Sequence, residues 1–166
     1  FLPRGFVRRL TRHFAIVVRS LSGTDRLVGR FGLPLRGLRS GFGGRSGGRF
    51  TPVGRLFGWL GAHWPLHEGG AVVNWGDARP ANALWRGFRA VGVLDWELAM
   101  LGPREMDVGY LIFFHRYFRH VAKLMAGIDA MPGFLRRDEV VAAYERLTGT
   151  RLHDIDWYIS YALLQQ

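Results

Sequence analysis

Three oxygen-bearing side chains, Asp77, Asn82 and Asp95, stand at spacings that could do chemistry together. Asp77 lies five positions before Asn82 in a polar segment, Trp75 to Asn82, whose Gly and Pro mark it as a loop. Two short apolar runs follow, Ala83–Arg86 and Ala90–Leu94, separated by a tight turn containing Gly87. If they pair as an antiparallel hairpin closed by Gly87 to Ala90, Arg86 faces Val91, Leu84 faces Val93 and Asn82 faces Asp95. Directly opposite residues have Cβ atoms roughly 5 Å apart. An amide oxygen and a carboxylate then sit side by side at the mouth of the hairpin, which suits a hard cation such as Mg²⁺ that takes oxygen ligands and keeps some waters. Asp77 can reach the same space. Taken singly, Asp77 and Asn82 read as turn residues that hydrogen-bond their own backbone; the hairpin that brings Asp95 to them tips the balance towards a site. Arg79 contacts an anionic group in that site or lies solvated. Glu97 reads as one half of a surface salt bridge sooner than as a further ligand. Asp107, close to the start of a helical pattern, either complements the helix dipole or supports the site from behind.

Asp-x4-Asn, a hairpin and a second Asp form the spacing used for phosphoryl transfer in the protein-kinase-like fold. The chain resembles the aminoglycoside phosphotransferase and choline-kinase-like family, and within it the branch akin to the kinase-like domain fused to some acyl-CoA dehydrogenases. The segments that carry the resemblance are Trp75-Gly76-Asp77-Ala78-Arg79-Pro80-Ala81-Asn82, Val93-Leu94-Asp95-Trp96-Glu97 and Leu101 to Gly109. It implies an α+β fold, the C-terminal lobe of a kinase-like enzyme, with catalytic hairpin first and helices after it. It implies an ATP-dependent transfer of the γ-phosphoryl group to the hydroxyl of a small molecule, with Mg²⁺ as cofactor. By the same resemblance Asp77 is the catalytic base with Arg79 beside it, Asn82 and Asp95 hold the metal and its nucleotide, and Asp107 is the buried carboxylate that braces the catalytic loop. Family members commonly carry His where this chain has Trp75, and tryptophan occurs there in the branch just named. No Lys precedes Asp77, so the strand-borne Lys of an N-terminal lobe is absent from the sequence and that lobe reads as missing or degenerate.

The elements that must position these groups follow from periodicity. Val53, Leu56, Phe57 and Leu60 recur at helical spacing behind Thr51-Pro52 and predict a short helix ending near His63. Ala71-Val72-Val73 predicts a strand. Met106, Gly109, Tyr110, Phe113, Phe114 and Tyr117 predict one face of a long helix from about Arg104 to about Met125. A second helix is expected over Arg137–Thr148 with Gly149 as its stop, and a third from Asp154 to Gln166. His63 and His67 are separated by Pro65, which breaks the helix that would place them on one face, and His115 and His120 read as packing or surface residues.

Composition sets the outer bounds. The chain has 166 residues, 23 Lys+Arg against 13 Asp+Glu, a net charge of +10 and no Cys, which excludes disulfide and thiolate-metal chemistry. Residues 1–50 hold 11 Arg and one acid, so all the excess lies there, while residues 51–166 are balanced at 12 and 12. The chain therefore divides into an Arg/Gly-rich segment, 1–50, expected to be flexible or non-native, and a phosphotransferase-like part, 51–166. Because 22 of the 23 basic residues are Arg, codon bias explains the charge better than nucleic-acid binding does. The competing expectation is a non-catalytic module whose basic arm binds nucleic acid or an acidic partner. In residues 41–50 the glycine spacing fails G-x-G-x-x-G and there is no Lys for a P-loop. The longest uncharged apolar stretch, Val108 to Phe114, is far short of the roughly 20 residues that span a bilayer. A soluble, cytoplasmic protein is expected. The start at Phe1 and a helical pattern still running at Gln166 read as a partial chain.

Overall fold

The computed structural model describes residues 52–67, 69–129 and 133–165. The Arg/Gly-rich segment, and with it the basic arm of the competing expectation, lies outside these residues, as does the expected Thr51 cap.

Helix α1, Pro52–Ala62, opens on a proline, whose fixed φ suits a first turn and whose missing N–H would have had no helical partner there. It buries Leu60 and leaves most of its surface exposed. Strand β1, Ala71–Asn74, alternates half-buried and buried residues. The loop after it ends in a 3₁₀ turn, Pro80–Asn82, and leads into strands β2, Ala83–Arg86, and β3, Arg89–Val93. A further strand, β4, Met100–Pro103, pairs antiparallel with β1, Ala71 opposite Pro103 and Asn74 opposite Met100. Periodicity did not announce β4, because two of its four residues are Gly and Pro; among the described residues each sheet has two strands, so each of these strands has an open side there, where Pro is tolerated.

The β2–β3 hairpin forms with a register that departs from the expected one. Ala83 faces Val93 and Leu84 faces Gly92, and after a shift between Leu84 and Trp85, Trp85 faces Ala90 and Arg86 faces Arg89. The turn is two residues, Gly87 and Phe88, both at positive φ (52° and 64°), a geometry that matches the twist of paired strands. The expected closure from Gly87 to Ala90 was too wide. Leu94 N–H still donates to Asn82 O at 2.8 Å, which extends the pairing to the mouth of the hairpin.

Helix α2, Glu105–Ala126, is the spine of the molecule. Its first half is buried, including Val108, Leu111 and Ile112, whereas residues beyond His115 are mostly exposed. It stops at Gly127 in the left-handed conformation. Helix α3, Arg137–Thr148, ends in the same way at Gly149. Helix α4, Ile155–Ala162, is shorter than expected because Leu163–Gln165 tightens into a 3₁₀ turn. It buries Trp157 against α1, where Trp157 Nε1–H donates to Leu60 O at 2.9 Å. The main core gathers Trp75, Ala78, Val108, Ile112, Tyr144 and Ile159, so the loop after β1 is packed into the same apolar mass as the helices.

Helix α4 approaches α2 at Gly109, where a Cβ would lie 2.8 Å from both the carbonyl carbon and the Cβ of Tyr158. Ala in place of Gly favours an exposed helix by about 1 kcal/mol, but overpacking against helix backbone costs roughly 1–3 kcal/mol. Gly109→Ala is therefore expected to lower the unfolding free energy in a denaturant titration; a gain would show that the α2–α4 contact yields easily.

Candidate active site

Asp107 sits in the first turn of α2 with 3% of its surface exposed. Its Oδ2 accepts the backbone N–H of Trp75 at 2.8 Å and its Oδ1 that of Gly76 at 2.9 Å. One side chain thus fixes two successive peptide groups at the point where β1 becomes the loop. Gly76 adopts φ +86°, and a Cβ there would collide with the backbone of Leu98, so only glycine lets the loop pass under that segment. The Trp75 ring is fully buried, and its Nε1–H is shared between Leu94 O at 2.7 Å and Asp95 O at 3.0 Å. The tryptophan therefore ties the loop that carries Asp77 to the end of the hairpin that carries Asp95.

Asp77, Arg79, Asn82 and Asp95 meet in the space so defined. Asn82 Nδ2 donates to Asp77 Oδ2 at 2.6 Å, more weakly to the Asp77 carbonyl at 3.3 Å, and to Asp95 Oδ2 at 3.4 Å. Arg79 Nη2 lies 2.9 Å from Asp77 Oδ2 and 3.9 Å from Asp95 Oδ2, while its guanidinium carbon stands 5.2 Å over the Phe114 ring. Tyr110 donates its hydroxyl to Asp77 Oδ1 at 2.7 Å. Asp77 is buried, with the Asp95 side chain more than a third exposed, so the cluster opens on the Asp95 side. Asp95 itself has φ +62°, a left-handed turn immediately beyond β3 that brings its side chain back towards Asn82 despite the shifted register.

Two residues of this network carry signals in the sequence that are easily misread. Tyr110 lies three positions after Asp107, hence on the same face of the helix, but an aromatic in an apolar stripe reads first as core. Trp75 reads first as an apolar residue, and its indole N–H supplies the link to the hairpin. Glu97 is exposed and forms no ion pair among the described residues. The histidines behave as packing and surface groups: His63 stacks on Trp59, and His115 meets the edge of Phe134. Among the described residues no group of three or more His, Asp or Glu could hold a metal. What remains is a donor set of one amide and one carboxylate. With Nδ2 of Asn82 turned to the carboxylates, its Oδ1 has no donor bonded to it among the described residues, and neither does Oδ1 of Asp95. Two hard oxygens at the open edge fit a cation that keeps most of its water, such as Mg²⁺.

The sequence profile of the Phosphotransferase enzyme family matches residues 47–150, more than half of the chain. The protein belongs to that family. The fold agrees: a crystal structure of a protein from Ralstonia eutropha JMP134, assigned by inference as an aminoglycoside phosphotransferase, superposes with a TM-score of 0.70 at 20% identity. The match covers 99% of this chain and 55% of that one, so the chain spans about half the length of the solved relative. The α+β, kinase-like fold of this phosphotransferase family member is thus shown. No described helix is long and apolar enough to cross a membrane.

Burial pushes the Asp107 carboxyl up from 3.8 to about 6, although the two backbone N–H bonds from Trp75 and Gly76 pull it back towards the charged form. Because the folded value lies above the unfolded one, the neutral acid is the form favoured by folding. The stability contributed by this group is fully present below about pH 4 and is lost as the pH rises through about 6. Asp107→Asn removes that titration and leaves one buried N–H facing an amide NH₂, at a cost of roughly 1–3 kcal/mol. Denaturant melts of both forms at several pH values are expected to show a gap that narrows from pH 4 to pH 6; a gap independent of pH would contradict the raised value.

Proposed function

We propose that this protein transfers the γ-phosphoryl group of ATP to the hydroxyl of a small molecule. The observation that carries the reading is the convergence of Asp77, Asn82 and Asp95 on one space, with Oδ1 of Asn82 and Oδ1 of Asp95 bonded to no donor among the described residues. Asn82 Oδ1 and the Asp95 carboxylate would hold Mg²⁺, which when bound neutralises phosphate charge and aligns the nucleotide. Asp77, whose Oδ2 is held by Asn82 and Arg79 beside Asp95, would orient the acceptor hydroxyl and take its proton. Tyr110 and Asn82 fix the carboxylate from both sides, so its orientation is set before any substrate arrives. Arg79 places a permanent positive charge between Asp77 and Asp95, where a transferred phosphoryl group would carry its negative charge. The rest of the reaction is positioning, which is what a loop pinned by Asp107 and Trp75 supplies.

Family membership supports the reaction class, and the cytoplasm, where ATP and Mg²⁺ are abundant, is the compartment in which such chemistry would run. Calorimetric titration of the full chain with ATP and Mg²⁺ tests the nucleotide half of the reading: binding is expected to need Mg²⁺ and to weaken at least about tenfold in Asp95→Ala, since one charge-assisted ligand is worth some 1.5–3 kcal/mol. Asp77→Asn is expected to keep that binding while phosphoryl transfer to an alcohol falls by about 10²-fold or more. Mg-ATP affinity unchanged in Asp95→Ala would overturn the assignment.

A further inference from the structure

Beyond Asp77 the surface of α2 is not featureless. Tyr110, Phe114 and Phe118 follow one another at four-residue spacing, so they share a face. Their rings stack in series, Tyr110 on Phe114 at 6.1 Å and Phe114 on Phe118 at 6.4 Å, within 21° of parallel. At its inner end this row is part of the site, because the Tyr110 hydroxyl is bonded to Asp77 and the Arg79 guanidinium lies over Phe114. At its outer end it is bare: Phe118 is 56% exposed, and in the neighbouring row Tyr117, stacked on Phe113 at 5.9 Å, is 47% exposed. Two large aromatic residues side by side in water cost solubility and add nothing to the core, whose apolar contacts end one turn earlier.

Charge narrows what could lie there. From Val108 to Ala126 the helix carries Arg116, Arg119 and Lys123 and no acid. The next acid, Asp129, is already paired with Arg119 at 2.7 Å. A polycationic amino sugar needs several carboxylates to replace the water around its ammonium groups; along this helix it would meet guanidinium and ammonium groups instead. An apolar body would take the exposed aromatic surface out of water and bring no charge of its own that needs a partner.

We propose that Tyr110, Phe114 and Phe118 form the acceptor subsite of the centre at Asp77, and that it takes an alcohol with an apolar body and no cluster of positive charge. This rests on the phosphotransfer reading for the identity of the bound group as an acceptor, while the binding surface stands on its own geometry. The apolar body lies against Phe118 and beside the Arg79 guanidinium that stands over Phe114, and directs its hydroxyl to the Asp77 carboxylate. On transfer, the bond formed is from the acceptor oxygen to the γ-phosphorus of ATP, the bond broken is that phosphorus to the β–γ bridging oxygen, and the hydroxyl proton passes to Asp77.

The test uses the full chain with 4-phenylbutan-1-ol and kanamycin A as probes, followed by the NMR signals of the Phe and Tyr rings and of the Arg79 side chain. The neutral alcohol is expected to shift the Phe114 and Phe118 signals saturably and to bind more tightly than kanamycin A. Phe118→Ser is expected to weaken it roughly fivefold to tenfold, as the loss of one aromatic contact implies. The melting temperature should not change, because Phe118 is exposed, and Phe118→Leu should recover part of the affinity. Tighter binding of kanamycin A, unshifted ring signals, equal affinity in Phe118→Ser, or a self-association that hides Phe118 would each overturn the subsite. The two readings fail separately. Binding through Phe118 without phosphoryl transfer to any alcohol would keep the subsite and sink the phosphotransfer reading; Mg-ATP turnover indifferent to Phe118 would do the reverse.

Discussion

The arrangement depends on one buried carboxylate. Asp107 receives the peptide N–H groups of both Trp75 and Gly76, so the start of α2 and the start of the site loop are tied together. A buried acceptor with two donors is strong because no water competes for it, and for the same reason removing it leaves two peptide groups without partners. The cost is visible in the acid's raised pKa: the site is braced by a group that burial itself opposes.

From that unit the constraint passes outward in two directions. Through Trp75 it reaches the backbone of Leu94 and Asp95, which holds the hairpin mouth at a fixed distance from the loop. Through Tyr110, one turn along α2 from Asp107, it reaches the Asp77 carboxylate itself. Asp77 is thereby held from the helix, from Asn82 and from Arg79 at once. The small sheets set direction: β1 and β4 deliver the chain to the loop, and β2 and β3 return it to Asp95.

Much of this was legible in the sequence because chemistry-bearing residues are scarce in an apolar chain and their spacing is rigidly set by short elements. Asp77, Asn82 and Asp95 could be grouped from a hairpin hypothesis alone, and α2 and α3 were readable from stripes and stopping glycines. The hairpin register was not, since Phe88 takes a left-handed conformation that sequence reserves for Gly or Asn, and since a single irregularity after Leu84 shifts every later pair. Strand β4 was hidden because Met100-Leu101-Gly102-Pro103 has neither β-branched residues nor alternation. Asn82 and Asp95 nevertheless meet, because the left-handed turn at Asp95 makes good what the register displaced. Trp75 was legible only as part of a motif and Tyr110 only as part of an apolar stripe; their polar tips decide the site, and nothing in a pattern of hydrophobicity reports where a tip points.

The central claim is that Asn82 and Asp95 form the cation edge of a nucleotide site. Mn²⁺ substitutes for Mg²⁺ and broadens NMR signals steeply with proximity, so titrating it into the full chain with ATP present maps that edge directly. The account predicts that the Asn82 side-chain amide and the Asp95 backbone amide broaden first, with Asp77 next and the far end of α2 unaffected. Broadening centred elsewhere, or none at all in the presence of ATP, would contradict it.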